Sequence, residues 1–141
     1  MSAYIDTSVL GAYYCPESGS AAAEKALLRI EGPVISALSE VEFISLVSKK
    51  RRLKELNDRR AREVLDLFGT HVAEGFYRRL ALSTEHFLEA RRLIGSFMVP
   101  LHTLDALHLA AAMTEAMPLV TSDGSLATAA KRHKHKVVWV E

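Results

Sequence analysis

One cysteine, Cys15, stands among 141 residues. No disulfide can therefore staple the chain, and its stability has to come from a buried core. Beside Pro16 that thiol reads as a helix-end residue rather than a nucleophile. No apolar run approaches the roughly 20 residues that cross a bilayer, so membrane insertion is not expected. Met1 to Asp6 carries neither a basic segment nor a long apolar one; no secretory signal is expected there, and a reducing, cytoplasmic setting is. A phosphate-cradling glycine loop, a dinucleotide glycine signature, Cys/His zinc spacing and a Ser-His-Asp order are all missing. No repeat, linker or low-complexity stretch divides the chain, which reads as one domain over residues 1–141.

Charge of one sign is lacking overall but not locally. The formal net charge is only +1, which excludes a general polycation. Residues 1–48 nevertheless hold six acids against Lys25 and Arg29, and residues 49–62 hold eight basic residues against Glu55 and Asp58. A solvated helix end that complements the helix dipole explains the basic run. Contact with a polyanion is the competing reading, although few aromatics interleave with it to stack on bases.

What is present is alternation. Short apolar stretches at 3–5, 34–36, 77–82, 119–121 and 137–140 read as strands. Between them lie helical patterns: 7–15, 18–30 ended by Gly32-Pro33, one opened by Ser36 or Ser39, 58–68 ended by Gly69, 83–95, 103–115 and 125–132. Such alternation predicts a three-layer α/β/α fold around a central, mainly parallel sheet of four to five strands.

Four acids sit in apolar surroundings. Asp6 and Asp123 directly follow strands, while Glu42 and Asp105 fall near helix starts. In a parallel sheet these places share one edge, where α/β proteins put functional groups. Each acid also has a plainer reading. Asp105 can complement the dipole of a helix capped by Thr103, and Glu42 can close a capping box with Ser39. Glu40 competes with Glu42, which helix phase favours. Ser8 can hold the Asp6 carboxylate or cap the first helix, and Thr121 can orient Asp123. If the four acids meet, their repulsion calls for a cation, and all-oxygen donors suit Mg²⁺ or Mn²⁺ rather than zinc.

Four segments carry a family resemblance: Tyr4-Ile5-Asp6-Thr7-Ser8-Val9-Leu10, Ile35-Ser36-Ala37-Leu38-Ser39-Glu40-Val41-Glu42, Leu104-Asp105-Ala106-Leu107-His108-Leu109-Ala110 and Val120-Thr121-Ser122-Asp123-Gly124-Ser125-Leu126. In this order the chain resembles PIN-domain proteins, specifically the VapC-type toxins of prokaryotic toxin–antitoxin pairs. The resemblance implies an acidic site of Asp6, Glu42, Asp105 and Asp123, with Ser8 as a polar helper. It implies an endoribonuclease dependent on Mg²⁺ or Mn²⁺ that hydrolyses RNA with metal-activated water, an antitoxin partner and a homodimer. Two rival readings use the same acids: a nuclease of RNA or DNA processing, and a non-catalytic RNA-binding module held by a structural cation.

His108, three residues after Asp105, is expected to be a hydrogen-bonded core histidine more than an acid or base. His133 and His135 alternate with cations and are expected to be solvated and not metal ligands. Tyr13, Tyr14, Leu27 and Leu28 are expected in the core, with an antitoxin groove or a dimer face as the alternative.

Overall fold

A computed structural model describes residues 1–141. Five strands, β1 (Ser2–Ile5), β2 (Gly32–Ser36), β3 (Arg78–Leu80), β4 (Leu119–Thr121) and β5 (Val137–Trp139), form one sheet in the order β3-β2-β1-β4-β5. Every pairing is parallel. Seven helices cover it: α1 (Thr7–Tyr14), α2 (Ser20–Leu28), α3 (Ala37–Arg52), α4 (Asp58–Ala73), α5 (Thr84–Gly95), α6 (Thr103–Thr114) and α7 (Gly124–Arg132). No helix is long and apolar enough to cross a membrane.

Strand alternation builds the layers, because successive side chains leave opposite faces of a sheet. Ala3, Ile5, Ile35 and Val120 join one core with side chains of α1 to α4, including Leu10, Phe43, Val64 and Phe68. Tyr4, Val34 and Leu119 join a second core with α5 to α7, including Leu93, Leu109 and Leu126. The central strand β1 is buried on both faces, and a parallel sheet covered on both sides requires this of its middle strands. The three-layer α/β/α architecture is the one the alternation predicts.

Several local expectations are corrected. Gly69 does not end α4; it lies inside the helix, where a methyl group would meet nothing within 4 Å. The chain turns instead at Gly75, with φ of +76°, a conformation open to glycine at little cost. Gly32 and Pro33 do not simply stop α2 but begin β2. Pro33 is tolerated because β3 pairs only from Val34 onward, so no ladder on that side needs its missing N–H. Ser39 closes a capping box with Ser36, not with Glu42. His102, not Thr103, stands at the N-cap of α6. Tyr14 and Leu27 are buried as expected, whereas Leu28 is exposed. His135 is not solvated: it is half-buried and its Nε2 donates to the Met117 carbonyl at 2.7 Å. His133 is likewise half-buried, with Nε2 shielded and unpaired. Cys15 is buried at the end of α1, and burial pushes its thiol pKa up, the reverse of what a nucleophile needs.

Candidate active site

The strand order decides where a site can form. From β1 the chain steps outward to β2 and β3, then returns to place β4 and β5 on the other side of β1. Between the C-terminal ends of β1 and β4 the helices diverge, which opens a crevice at a topological switch point. Asp6 follows β1 and Asp123 follows β4. Their backbones are locked together, since Asp6 N–H donates to the Val120 carbonyl at 2.9 Å.

A cleft of about 350 Å³ lies there, lined by Asp6, Thr7, Ser8, Glu42, Ser45, Leu46, Lys49, Leu104, Asp105 and Asp123. All four acids singled out from the sequence reach it. Glu40 does not; it takes a bidentate ion pair from Arg79, at 2.9 and 3.0 Å. Residues two positions apart on a helix point about 200° apart, so only one of Glu40 and Glu42 can face the cleft.

Each carboxylate is held in its own way. Asp6 is only 4% exposed, and its Oδ2 accepts from Ser8 Oγ at 2.6 Å and Thr121 Oγ1 at 2.9 Å. Ser8 in turn accepts from the Ser122 N–H, and Thr121 from the Asp123 N–H. The two hydroxyls thus tie the ends of β1 and β4 to one carboxylate. Asp123 caps α7, with Oδ1 accepting from the Ser125 and Leu126 amides at 2.9 and 3.2 Å. Glu42 Oε1 accepts from Thr7 Oγ1 at 2.8 Å and from His108 Nε2. Asp105 takes no hydrogen bond from a side chain or amide. The second oxygens of Asp6, Glu42 and Asp123 are equally unclaimed, and none of them is sealed from solvent.

His108 is a core histidine, 1% exposed, but it does more than fill space. Its Nδ1 shares a hydrogen bond of 2.7 Å with the Tyr4 hydroxyl, which also meets Ser36 Oγ at 2.8 Å. Burial pushes the Tyr4 phenol up to about 12, so it stays protonated. Burial lowers the His108 pKa, but the Glu42 hydrogen bond and the charges of Asp6, Glu42 and Asp105 outweigh it and hold it above the usual value. Burial raises the Glu42 pKa, and the His108 and Thr7 contacts outweigh that to leave it low. A buried relay thus runs from β2 through Tyr4 and His108 to Glu42. Its sequence signal is the spacing of three between Asp105 and His108, which puts both on one side of α6. Thr7 and Lys49 gave a weaker signal: Lys49 lies two helical turns after Glu42.

Burial raises the Asp105 pKa, and Asp123, Asp6 and Glu42 push it the same way. Four acids therefore strain against one another here. A carboxyl with a raised folded-state pKa costs stability at neutral pH, and the cost vanishes below its unfolded value of about 3.9. Asp105→Asn is accordingly expected to raise Tm in EDTA at neutral pH, with the gain fading as pH falls from the raised folded value toward about 3.9. Thermal melts across pH check this. Added Mg²⁺ is expected to narrow the gap by stabilising the protein that keeps Asp105 more than the variant.

No three Asp, Glu, His or Cys side chains already converge on a point that would hold an ion by themselves. The donor set still fits Mg²⁺ or Mn²⁺. Mg²⁺ keeps several waters and takes only one or two carboxylates, and the unclaimed oxygens are spread around the cleft as an ion held partly through water requires. Zinc does not fit, because no cysteine is near and both His108 nitrogens are engaged.

A family model described as "PIN domain" matches residues 3–132. The chain belongs to the PIN-domain family. No curated protein matches it by sequence. Solved PIN structures share its fold over nearly the whole length. VapBC2 from Rickettsia felis, bound to a DNA fragment from its promoter, aligns with TM-score 0.70 at 17% identity over 100% of both chains. VapC20 from Mycobacterium tuberculosis, described as a toxin that cleaves the sarcin–ricin loop, aligns with TM-score 0.69 at 16% identity over 89% of this chain and 93% of that one. FitAcB from Neisseria gonorrhoeae gives TM-score 0.68 at 16% identity, over 99% and 96%. At these identities the likeness establishes the PIN fold, and chemistry has to be argued from the cleft.

Proposed function

We propose that this PIN domain is an endoribonuclease dependent on Mg²⁺ or Mn²⁺, and the toxin of a toxin–antitoxin pair. The observation that carries the reading is the switch-point cleft, which four carboxylates line and where each keeps at least one oxygen free of protein partners. Asp6, Glu42, Asp105 and Asp123 would hold the cation, directly or through its waters. Such a cation, when bound, activates water and offsets charge on a phosphodiester. The chain's own work is positional. Ser8 and Thr121 fix Asp6, α7 fixes Asp123, and Thr7 with His108 fixes Glu42, so the free oxygens stay aimed at the cleft at no further entropic cost. An antitoxin partner belongs to the same reading, supported by VapBC and FitAB neighbours solved as toxin–antitoxin assemblies, and self-association is proposed with it.

The test is incubation of the purified, antitoxin-free protein with cellular RNA, in Mg²⁺ and in EDTA. Discrete cuts in Mg²⁺ alone, leaving 5′-phosphate and 3′-hydroxyl ends, are expected. Cuts in EDTA with 2′,3′-cyclic ends would overturn the reading, because they mark metal-free attack by the 2′-hydroxyl. A folded protein that binds RNA without cutting it would favour the non-catalytic binding module instead.

A further inference from the structure

A cleft of four carboxylates repels the polyanion it is proposed to cut, so cations must stand beside it to admit RNA. The basic run 49–62 is not one uniform patch. Half of it is already neutralised: Lys50 pairs with Glu17 and Glu55, Arg51 with Asp58, and Arg59 and Arg60 with Glu63. Lys49, Arg52, Lys54 and Arg62 have no carboxylate partner; Arg62 lies on α4 and Lys54 beyond the end of α3, which leaves Lys49 and Arg52 on α3 itself. Lys49 is exposed and lines the acid cleft itself, with Ser45 beside it. Arg52 is exposed, and its guanidinium donates to Ser48 Oγ at 2.9 Å.

Helix geometry connects these two to Glu42. On α3, Lys49 falls about 20° from Glu42 around the axis and about 10 Å further along it. Arg52 falls about 80° away, on the side where Ser45 also lies, and one turn further on. Ser45, Lys49 and Arg52 therefore form one exposed stripe that leaves the cleft toward the C-terminal end of α3. That end carries the negative pole of the helix, so the cations there are stabilised.

We infer that this stripe is the path of the RNA backbone, with Lys49 on a phosphate next to the one being cut and Arg52 on the phosphate beyond. The inference rests on the nuclease reading for its direction, but binding is measured apart from cleavage. Phosphate contacts of this kind set register and affinity and carry no base preference.

Each contact to single-stranded nucleic acid contributes about −0.7 to the slope of log affinity against log salt. Lys49→Gln with Arg52→Gln, placed in an Asp6→Asn background that keeps the probe intact, is expected to reduce the slope by about 1.4. With wild-type and variant lines meeting near 1 M salt, that means about 60-fold weaker binding of a short labelled single-stranded RNA near 50 mM salt, and about tenfold near 200 mM. Arg59→Gln with Arg60→Gln removes the same charge from positions off the cleft, and is expected to change the slope by less than half as much. Fluorescence anisotropy at fixed Mg²⁺ reads all of these. Unchanged affinity in the Lys49/Arg52 variant, or an equal loss in the Arg59/Arg60 variant, overturns the assigned path. A selective loss of binding in a protein whose Asp6 form never cuts RNA would keep the path and reject the nuclease reading.

Discussion

Asp6→Asn is expected to lower RNA cleavage by about 10³-fold or more while leaving the fold intact. Asn matches Asp in shape, and its one oxygen can keep the bonds from Ser8 and Thr121. Its amide then occupies the place of the free oxygen and presents N–H groups to the cleft. A donor facing a cation cannot ligate it, and the cleft loses a full negative charge. Several kcal/mol of charge stabilisation are at stake in metal-assisted phosphodiester cleavage, and each 1.4 kcal/mol is about tenfold in rate. Single-turnover cleavage beside a thermal melt checks it. Asp6→Asn activity within tenfold of wild type, with normal melting, would remove Asp6 from the cation site.

The second large effect falls on stability. His108→Ala is expected to cost about 3–5 kcal/mol, because it removes the imidazole that bridges the Tyr4 hydroxyl and Glu42 Oε1, leaves Glu42 with Thr7 as its one remaining donor, and opens a cavity in the core under α6. For a chain of this size that lowers Tm by roughly 10–15 °C. His108→Gln keeps one donor near Glu42 and is expected to recover part of the loss. The same substitutions are expected to raise the Mg²⁺ concentration for half-maximal cleavage by about 10- to 100-fold, since a residue that orients a ligand sets metal affinity. Loss of stability with an unchanged Mg²⁺ requirement would make His108 a purely structural residue.

That pair also has a pH window. Glu42 is held low, so its contribution is present above its unfolded value of about 4.3 and is lost as pH falls through the folded value. His108 is held high, so its contribution is full below about 6.5 and is lost as pH rises through its folded value. In EDTA, the gap in Tm between wild type and His108→Gln is therefore expected to be widest between these limits.

Much of the site is legible without coordinates, and for a local reason. Asp6 and Asp123 each end a short apolar stretch and begin a helix, and a parallel sheet gathers such junctions on one edge. Gly69 and Pro33 mislead for the same local reason. Both are breakers by propensity, and tertiary packing carried one inside a helix and the other into a strand. The His108 relay was only half legible: its burial follows from the apolar helix around it, but its tie to Glu42 spans 66 residues and its tie to Tyr4 spans 104.

By itself, the amino-acid sequence determined the alternation of strands and helices, the parallel three-layer architecture and the family, because these depend on apolar periodicity and on four short segments in order. Only the tertiary structure decided the strand order that opens the crevice between β1 and β4, the tie of His108 to both Glu42 and Tyr4, and the division of the basic run into paired cations and unpaired ones, with Lys49 at the cleft. These outcomes depend on contacts between residues far apart in the chain, and the pattern within one segment holds no information about which distant side chain it will meet.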